Sequence, residues 1–172
     1  MMKLNDAEAF LRLGNAYNYK MLGLPLDRNK AFELYKKGVE LGSIEAHDQI
    51  AKAYKNGFGE GIKLDMDKAQ YHSEMAAKGG HEIARYNLGM LEKMLYCNTD
   101  RAMKHFMISA SAGYENALKE VGEGYKAGRV TKDDYTKTLR AYQNTREAMK
   151  SVHRAKVAAH FAALYPSRNA HV

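Results

Sequence analysis

One cysteine in 172 residues, Cys97, excludes an intramolecular disulfide and any cysteine-built structural zinc site. Tryptophan is absent and proline occurs twice, which excludes a collagen-like or proline-rich chain. No apolar run reaches the ~18 residues that a membrane-spanning helix needs. The opening Met1, Met2, Lys3, Leu4, Asn5, Asp6 leads into no apolar signal-peptide core, so an intracellular, cytoplasmic protein is expected. What is present is a hydrophobic fraction of 45%, which argues against disorder. The net charge is +7 and uneven. Residues 1–113 carry 16 Lys and Arg against 14 Asp and Glu, whereas 140–172 carry 6 against 1.

Internal repetition organises the chain. Ala9, Ala46, Ala84 and Ala117 are spaced by 37, 38 and 33 residues, and Leu13, Ile50, Leu88 and Val121 share those intervals. Ala31, Ala69 and Ala102 are spaced by 38 and 33, as are Gly42, Gly80 and Gly113. Agreement across four columns marks four repeats, expected at 5–43, 44–80, 81–113 and 114–147. Repeat three is five residues shorter, in the loop near Cys97.

Each repeat reads as two helices, A and B. Phe10, Leu13, Tyr17 and Met21 recur at helical spacing in the first A helix, and Ala31, Leu34 and Tyr35 do so in the first B helix. Small residues recur at Gly14, Ala51, Gly89 and Gly122, where a neighbouring helix must approach closely. A mid-helix glycine costs about 1 kcal/mol against alanine, so its recurrence implies packing that offsets the cost. Gly42, Gly80 and Gly113 fit the left-handed residue that ends a helix. Asp27 and Asp65 fit N-caps of B helices, and Thr131 fits the cap of a B-like helix running to about residue 147. Ser151 is expected to start a separate capping helix over 148–165, with Val157, Phe161, Leu164 and Tyr165 on one face and a frayed tail over 166–172.

Leu13-Gly14-x-x-Tyr17, the loop to Asp27, then Lys30, Ala31, Leu34, Tyr35 and a closing Gly42 resemble the Sel1-like repeat, a relative of the tetratricopeptide repeat. Repeat two is most similar, through Tyr54, Gly57, Gly59, Asp65, Lys68, Ala69, Ala76, Ala77 and Gly80. The resemblance covers residues 7–128. The stretch from Tyr125 to Gln143 also resembles the tail of short Sel1-like proteins of single-celled algae. The resemblance implies an all-α, right-handed α/α superhelical solenoid that acts as an adaptor for other proteins, with no catalytic residue and no cofactor. The usual helix-B tryptophan is replaced by Leu34, His72 and His105, and Glu92 stands where the other repeats have Tyr.

A search for chemistry returns little. No His-Glu-x-x-His pattern occurs. His72 and His105 are 33 residues apart, on successive B helices, and so read as packing residues rather than shared metal ligands. His153 and His160 lie two helical turns, ~10 Å, apart, too far to ligate one ion. Cys97 has no adjacent base, and Gly57, Gly59 and Gly61 lack the Lys-Ser/Thr ending of a phosphate loop. His81 reads as a helix-boundary residue, and Met103 and Met107 as core. No metal site and no catalytic residue are expected.

The reading therefore rests on a surface. Arg12, Asn15 and Tyr19, then Gln49, Lys52 and Asn56, then Asn87, Met90 and Met94, then Glu120, Glu123 and Ala127 occupy equivalent A-helix positions at i, i+3, i+7. In related solenoids the A helices line the concave side. These residues are expected to form a groove for a peptide or helix of a partner protein, basic and polar at one end, methionine-rich centrally and acidic at the other. With partner capture assigned to this face, Lys52→Glu combined with Met90→Ala is expected to weaken binding without changing the melting temperature. The alternative is a basic C-terminal helix, with Arg140, Arg146, Lys150, Arg154 and Lys156, docking on nucleic acid or an anionic membrane. Steep salt dependence would mark that alternative.

Overall fold

A computed structural model describes residues 6–58 and 61–164, with side chains of the last helix described to His160 except Ala158. Among the described residues eight helices follow one another: α1 (Ala7–Asn18), α2 (Arg28–Glu40), α3 (Ile44–Asn56), α4 (Met66–Lys78), α5 (Glu82–Met94), α6 (Thr99–Ser111), α7 (Glu115–Lys126) and α8 (Lys132–Leu164). Among the described residues there is no strand, only one bridge between Phe58 and Ile62. Consecutive helices pair as A and B helices of four repeats, giving an all-α solenoid of helical hairpins. No described helix is long and apolar enough to cross a membrane. The chain divides into two compact units, one ending at Phe106 and the other starting at Met107.

The recurring residues build the hairpin ends as their chemistry requires. Asp27 and Asp65 accept hydrogen bonds from the backbone N–H groups of Lys30 and Lys68 at 2.8 and 3.0 Å. Asn98 does the same for Arg101 at 3.1 Å, opening α6. The backbone N–H of each cap donates back to the preceding A helix, to the carbonyls of Tyr17, Tyr54 and Glu92 at 3.1, 3.0 and 2.8 Å. A nine-residue loop (19–27, 57–65) and a four-residue loop (95–98) thus close on the same position. The five-residue deletion costs repeat three no closing bond. Gly42, Gly80 and Gly113 have φ of 84°, 94° and 99°, the left-handed geometry expected after α2, α4 and α6.

The core of the first unit is made by pairs that compensate in size. A Cβ on Gly14 would stand 2.5 Å from the ring of Tyr35, and one on Gly89 would stand 2.6 Å from the ring of Phe106. In repeat two the same columns hold Ala51 and Ser73, both buried. Burial of Tyr35 holds its phenol well above the usual tyrosine range. Ile50 packs with Leu11, Ala31, Phe32 and Tyr35, and Leu88 packs with Ala76, Ala77 and Ala84. This column therefore faces the preceding B helix. Leu13, expected as its first member, is only half-buried, and Leu11 is the buried leucine there. Met21 lies beyond the end of α1 and is exposed, since Lys20 adopts a left-handed φ of 53°.

In the second unit, Thr131 caps α8 as expected. It accepts from the Asp134 N–H at 3.1 Å and donates to the Asp134 carboxylate at 2.7 Å. The expected stop near 147 and fresh start at Ser151 do not occur: α8 is one helix of 33 residues. The physical reason is that residues 132–164 contain no glycine or proline, and a lone serine does not interrupt a run of good helix formers. Tyr125 of α7 stacks on Tyr135 of α8 with centroids 4.9 Å apart. Further on, the Thr145 hydroxyl donates to the Ser111 carbonyl at 2.8 Å. From Arg146 to His160 every side chain described is exposed. Tyr165 and the expected tail 166–172 lie outside the described residues, as do Asn5 and Gly59.

Candidate functional site

The A-helix stripe in the first unit divides into residues tied to the core and residues standing free of it. Asn15 accepts a hydrogen bond from the Tyr35 hydroxyl at 2.9 Å, which satisfies a buried phenol. Lys52 lies 2.6 Å from the carboxylate of Asp48, whose side chain is 3% exposed. Both residues therefore hold the fold, and the expectation that Lys52→Glu leaves the melting temperature unchanged is corrected: it would set a second carboxylate against a buried one. Gln49, Asn87 and Met90 are half-buried. Arg12, Tyr19, Asn56 and Met94 are exposed, Arg12 in an ion pair with Glu8 at 2.7 Å. In the second unit Glu120 is half-buried, and exposed Glu123 pairs with Lys126 at 2.8 Å.

A second arrangement lies on the B-helix side and was not anticipated. Between α2, α3 and α4 the rings of Phe32, His47, Tyr54 and His72 form a layer. Centroids are 5.4 Å apart for Phe32 and Tyr54, 6.0 Å for Tyr54 and His72, and 5.1 Å for His47 and His72. The two imidazoles share one hydrogen bond, Nδ1 to Nδ1 at 2.9 Å, so one must donate while the other accepts. Burial, reinforced by His47, pushes His72 down to about 4, and burial lowers His47 as well. The Lys68 ammonium sits 5.3 Å over the Tyr54 ring, as Lys30 sits 4.3 Å over Tyr17 in repeat one.

One repeat further along, between α4, α5 and α6, the equivalent positions are Gln70, Arg85, Glu92, Arg101 and His105. Glu92 is 6% exposed and meets Arg101 at 2.9 Å, so an ion pair replaces the lysine–tyrosine contact. Arg85 donates to the Ala77 carbonyl at 2.8 Å and closes the end of α4. The Tyr96 hydroxyl donates to Gln70 at 2.7 Å. These groups border a cavity of about 270 Å³ floored by Leu88 and Leu91. A larger cleft of about 1020 Å³ opens at the starts of α2 and α4, beside Asp27, Lys30, Phe32, Tyr54, Asp65 and Lys68. Both its aspartates are spent as helix caps, and two of its three lysines, Lys30 and Lys68, lie over tyrosine rings.

No family model matches the chain. Over 118 residues it is 30% identical to chitin synthase regulatory factor 4 of Schizosaccharomyces pombe, covering 69% of the chain and 18% of that protein. It is 32% identical over 111 residues to an uncharacterized protein of Neisseria meningitidis serogroup B, covering 64% of the chain and 23% of the relative. The chain thus spans about a fifth of the length of the curated relatives it matches. Among solved structures it is similar to a Sel1 repeat protein from Oxalobacter formigenes, with a TM-score of 0.67 and 28% identity over 84% of the chain and 59% of the other. The chain has the Sel1-like repeat fold. A protective antigen of uropathogenic Escherichia coli that displays the same fold gives a TM-score of 0.68 at 22% identity, over 84% of the chain and 31% of the antigen. That likeness shows the fold alone.

Within this Sel1-like framework, His72 and His105 occupy the substituted tryptophan column. Their partners, His47 and Arg85, come from the A helix of the same hairpin, 25 and 20 residues earlier. The signal that finds them is the repeat interval itself, because His47 and Arg85 are 38 residues apart, as are Tyr54 and Glu92. His81 caps α5, its Nδ1 accepting from the Ala84 N–H at 3.2 Å. Met103 is buried and Met107 half-buried. The basic residues Arg140, Arg146, Lys150, Arg154 and Lys156 are exposed along α8, and Lys150 and Arg154 share Glu147 at 3.9 and 3.2 Å.

Proposed function

We propose that this Sel1-like protein is a non-enzymatic interaction scaffold whose A-helix face binds an extended or helical segment of a partner protein. The observation that carries the reading is that Tyr19, Asn56 and Met94, at equivalent places where successive A helices of the first unit end, are all exposed, with Arg12 exposed on α1. Tyr19 and Met94, 58% and 68% exposed, supply apolar contact, and aromatic side chains and methionine serve well as anchors on binding surfaces. The titratable groups brought together elsewhere, His47 with His72 and Glu92 with Arg101, are spent on one another. That supports a scaffold over a catalyst. The name of the fission-yeast relative, a regulatory factor, agrees with a protein that acts through other proteins.

The test uses Tyr19→Asp combined with Met94→Asp, which leaves the bonds of Asn15 and Lys52 intact. Partners captured by the full-length chain are identified by cross-linking and mass spectrometry, and affinity for the cross-linked segment is measured by calorimetry. Loss of two anchors is expected to weaken binding at least about tenfold, with the melting temperature held. Unchanged affinity would overturn the assignment of this face. Binding that collapses between 50 and 200 mM salt, and is lost on neutralising Arg146 and Lys150, would instead place the contact on α8.

A further inference from the structure

The space between α4, α5 and α6 is built from the same positions as the ring layer of repeat two, yet only one ring of that layer remains. Phe32, His47 and Tyr54 are replaced by Gln70, Arg85 and Glu92, and His105 alone keeps its place. Its Nδ1 is buried and has no hydrogen-bond partner, whereas the equivalent nitrogen of His72 is bonded to His47. A buried, unpaired polar nitrogen is costly, so this layer is less completely satisfied than the one in repeat two.

The charges around that nitrogen are unequal. Lys78, Arg85 and Arg101 are positive; Glu74 and Glu92 are negative. Glu92 is taken by Arg101, and Glu74 accepts from Gln70 at 3.1 Å. Arg85 commits one terminal nitrogen to the Ala77 carbonyl. One positive charge is left in excess, at Arg85 and Lys78, beside the unpaired ring and above the apolar floor of Leu88 and Leu91. A guanidinium and an ammonium lining one cavity suit an anionic acceptor, and the apolar floor suits a group with a short hydrocarbon stem.

We propose that the cavity of repeat three binds a carboxylate on a short aliphatic stem, paired with Arg85 and Lys78 beside the His105 ring. The carboxylate belongs either to an acidic side chain of a polypeptide or to a free small organic acid. None of the lining residues belongs to the A-helix stripe, so this site is independent of the face assigned to a partner above. Binding also has a proton linkage. Without ligand, burial and then Arg85 lower His105, with Arg101 adding to the effect and Glu92 and Glu74 opposing it, so the ring is neutral at pH 7. A bound carboxylate favours the charged ring, so affinity rises as pH falls from 7.5 to 6.

The test is a titration of the full chain, with ¹⁵N-labelled histidine, followed through the His105 ring resonances. The probes are glutarate, the blocked peptide acetyl-Gly-Leu-Glu-Leu-Gly-amide, and its Gln counterpart. Saturable movement of His105 with glutarate and the Glu peptide, and none with the Gln peptide, is expected. At least about tenfold tighter binding of the peptide assigns the site to a protein side chain; equal or tighter binding of glutarate assigns it to a free acid. Arg85→Gln should weaken either ligand at least tenfold. Because Arg85 also closes α4, Lys78→Gln provides a second variant on an exposed residue, expected to weaken binding about threefold with the fold intact. No saturable movement of His105 at 10 mM of either probe, equal response to the Gln peptide, or binding indifferent to Lys78→Gln and to pH would overturn the proposal.

Discussion

In repeat two, Tyr54 lies beneath the ammonium of Lys68; in repeat three, at the same two positions, Glu92 meets the guanidinium of Arg101. A lysine over a ring needs only a point charge near a π face, whereas a carboxylate calls for the planar fork of arginine. The two columns differ together between the repeats, and either difference alone would leave a poor contact. The surrounding residues followed: His47 bonds a ring nitrogen of His72, while Arg85 turns to the Ala77 carbonyl and leaves the His105 nitrogen unpaired. The comparison teaches that a hairpin frame fixed by caps and left-handed glycines carries either an aromatic layer or a charged one. The charged layer has more at stake, since Glu92 is buried and depends on one partner.

Removing that partner should produce the largest effect. Arg101→Ala leaves the buried Glu92 carboxylate without its ion-pair partner and is expected to cost about 2–3 kcal/mol in urea unfolding. The matching change in repeat two, Lys68→Ala, exposes no buried charge and should shift the curve far less. Installing the repeat-two chemistry, Glu92→Tyr with Arg101→Lys, should recover most of the loss; failure to recover would show that the two layers are not interchangeable.

Next in size is the close approach of helices. Gly89→Ala forces a Cβ to within 2.6 Å of Phe106 and is expected to cost about 1–2 kcal/mol, after the gain from a better helix former. Combined with Phe106→Ser, which copies Ala51 and Ser73, the double variant should cost less than the sum of the single ones by about 1 kcal/mol.

The acid limb separates the layers by a smaller amount. Above pH 6.5 His72 is neutral both folded and unfolded, and pH has no hold on it. Between 6.5 and about 4 only the unfolded chain binds its proton, so stability falls as pH falls; below about 4 both states carry the charge and the slope ends. Discounted for half-exposed rings, the loss is about 1 kcal/mol, and His72→Phe should flatten the melting-temperature profile over that range. The smallest effect is expected at Gly122, where an added Cβ would meet nothing closer than Tyr135 at 4.0 Å. Gly122→Ala should therefore stabilise by about 0.5–1 kcal/mol, opposite in sign to Gly89→Ala in the same column.

What was legible in the sequence is what a single column can carry. Asp27 and Asp65 as caps, Gly42, Gly80 and Gly113 as left-handed closures, and Gly14 and Gly89 as contact points each follow from one residue type recurring at the repeat interval. Pairings between columns were not legible, because spacing along one helix does not state what stands opposite. Asn15 and Lys52 look like surface residues until Tyr35 and Asp48 are placed beside them. The role of His47 is not visible along its own helix because it is set by His72, on another helix. The break expected in α8 came from giving Ser151 the weight of a cap without the glycine or proline that ends the preceding helix.

The size compensation of Gly14 with Tyr35 and of Gly89 with Phe106 is completed inside one hairpin in each case. Such a unit can be duplicated or exchanged between genes as a whole, provided the crossover falls in the turn that joins one hairpin to the next. A crossover between the A and B helices of a hairpin would set a ring against a methyl group or leave a void. The inheritable module of this architecture is thus bounded by the glycines at 42 and 80, and sequence drift inside it should be correlated between its two halves.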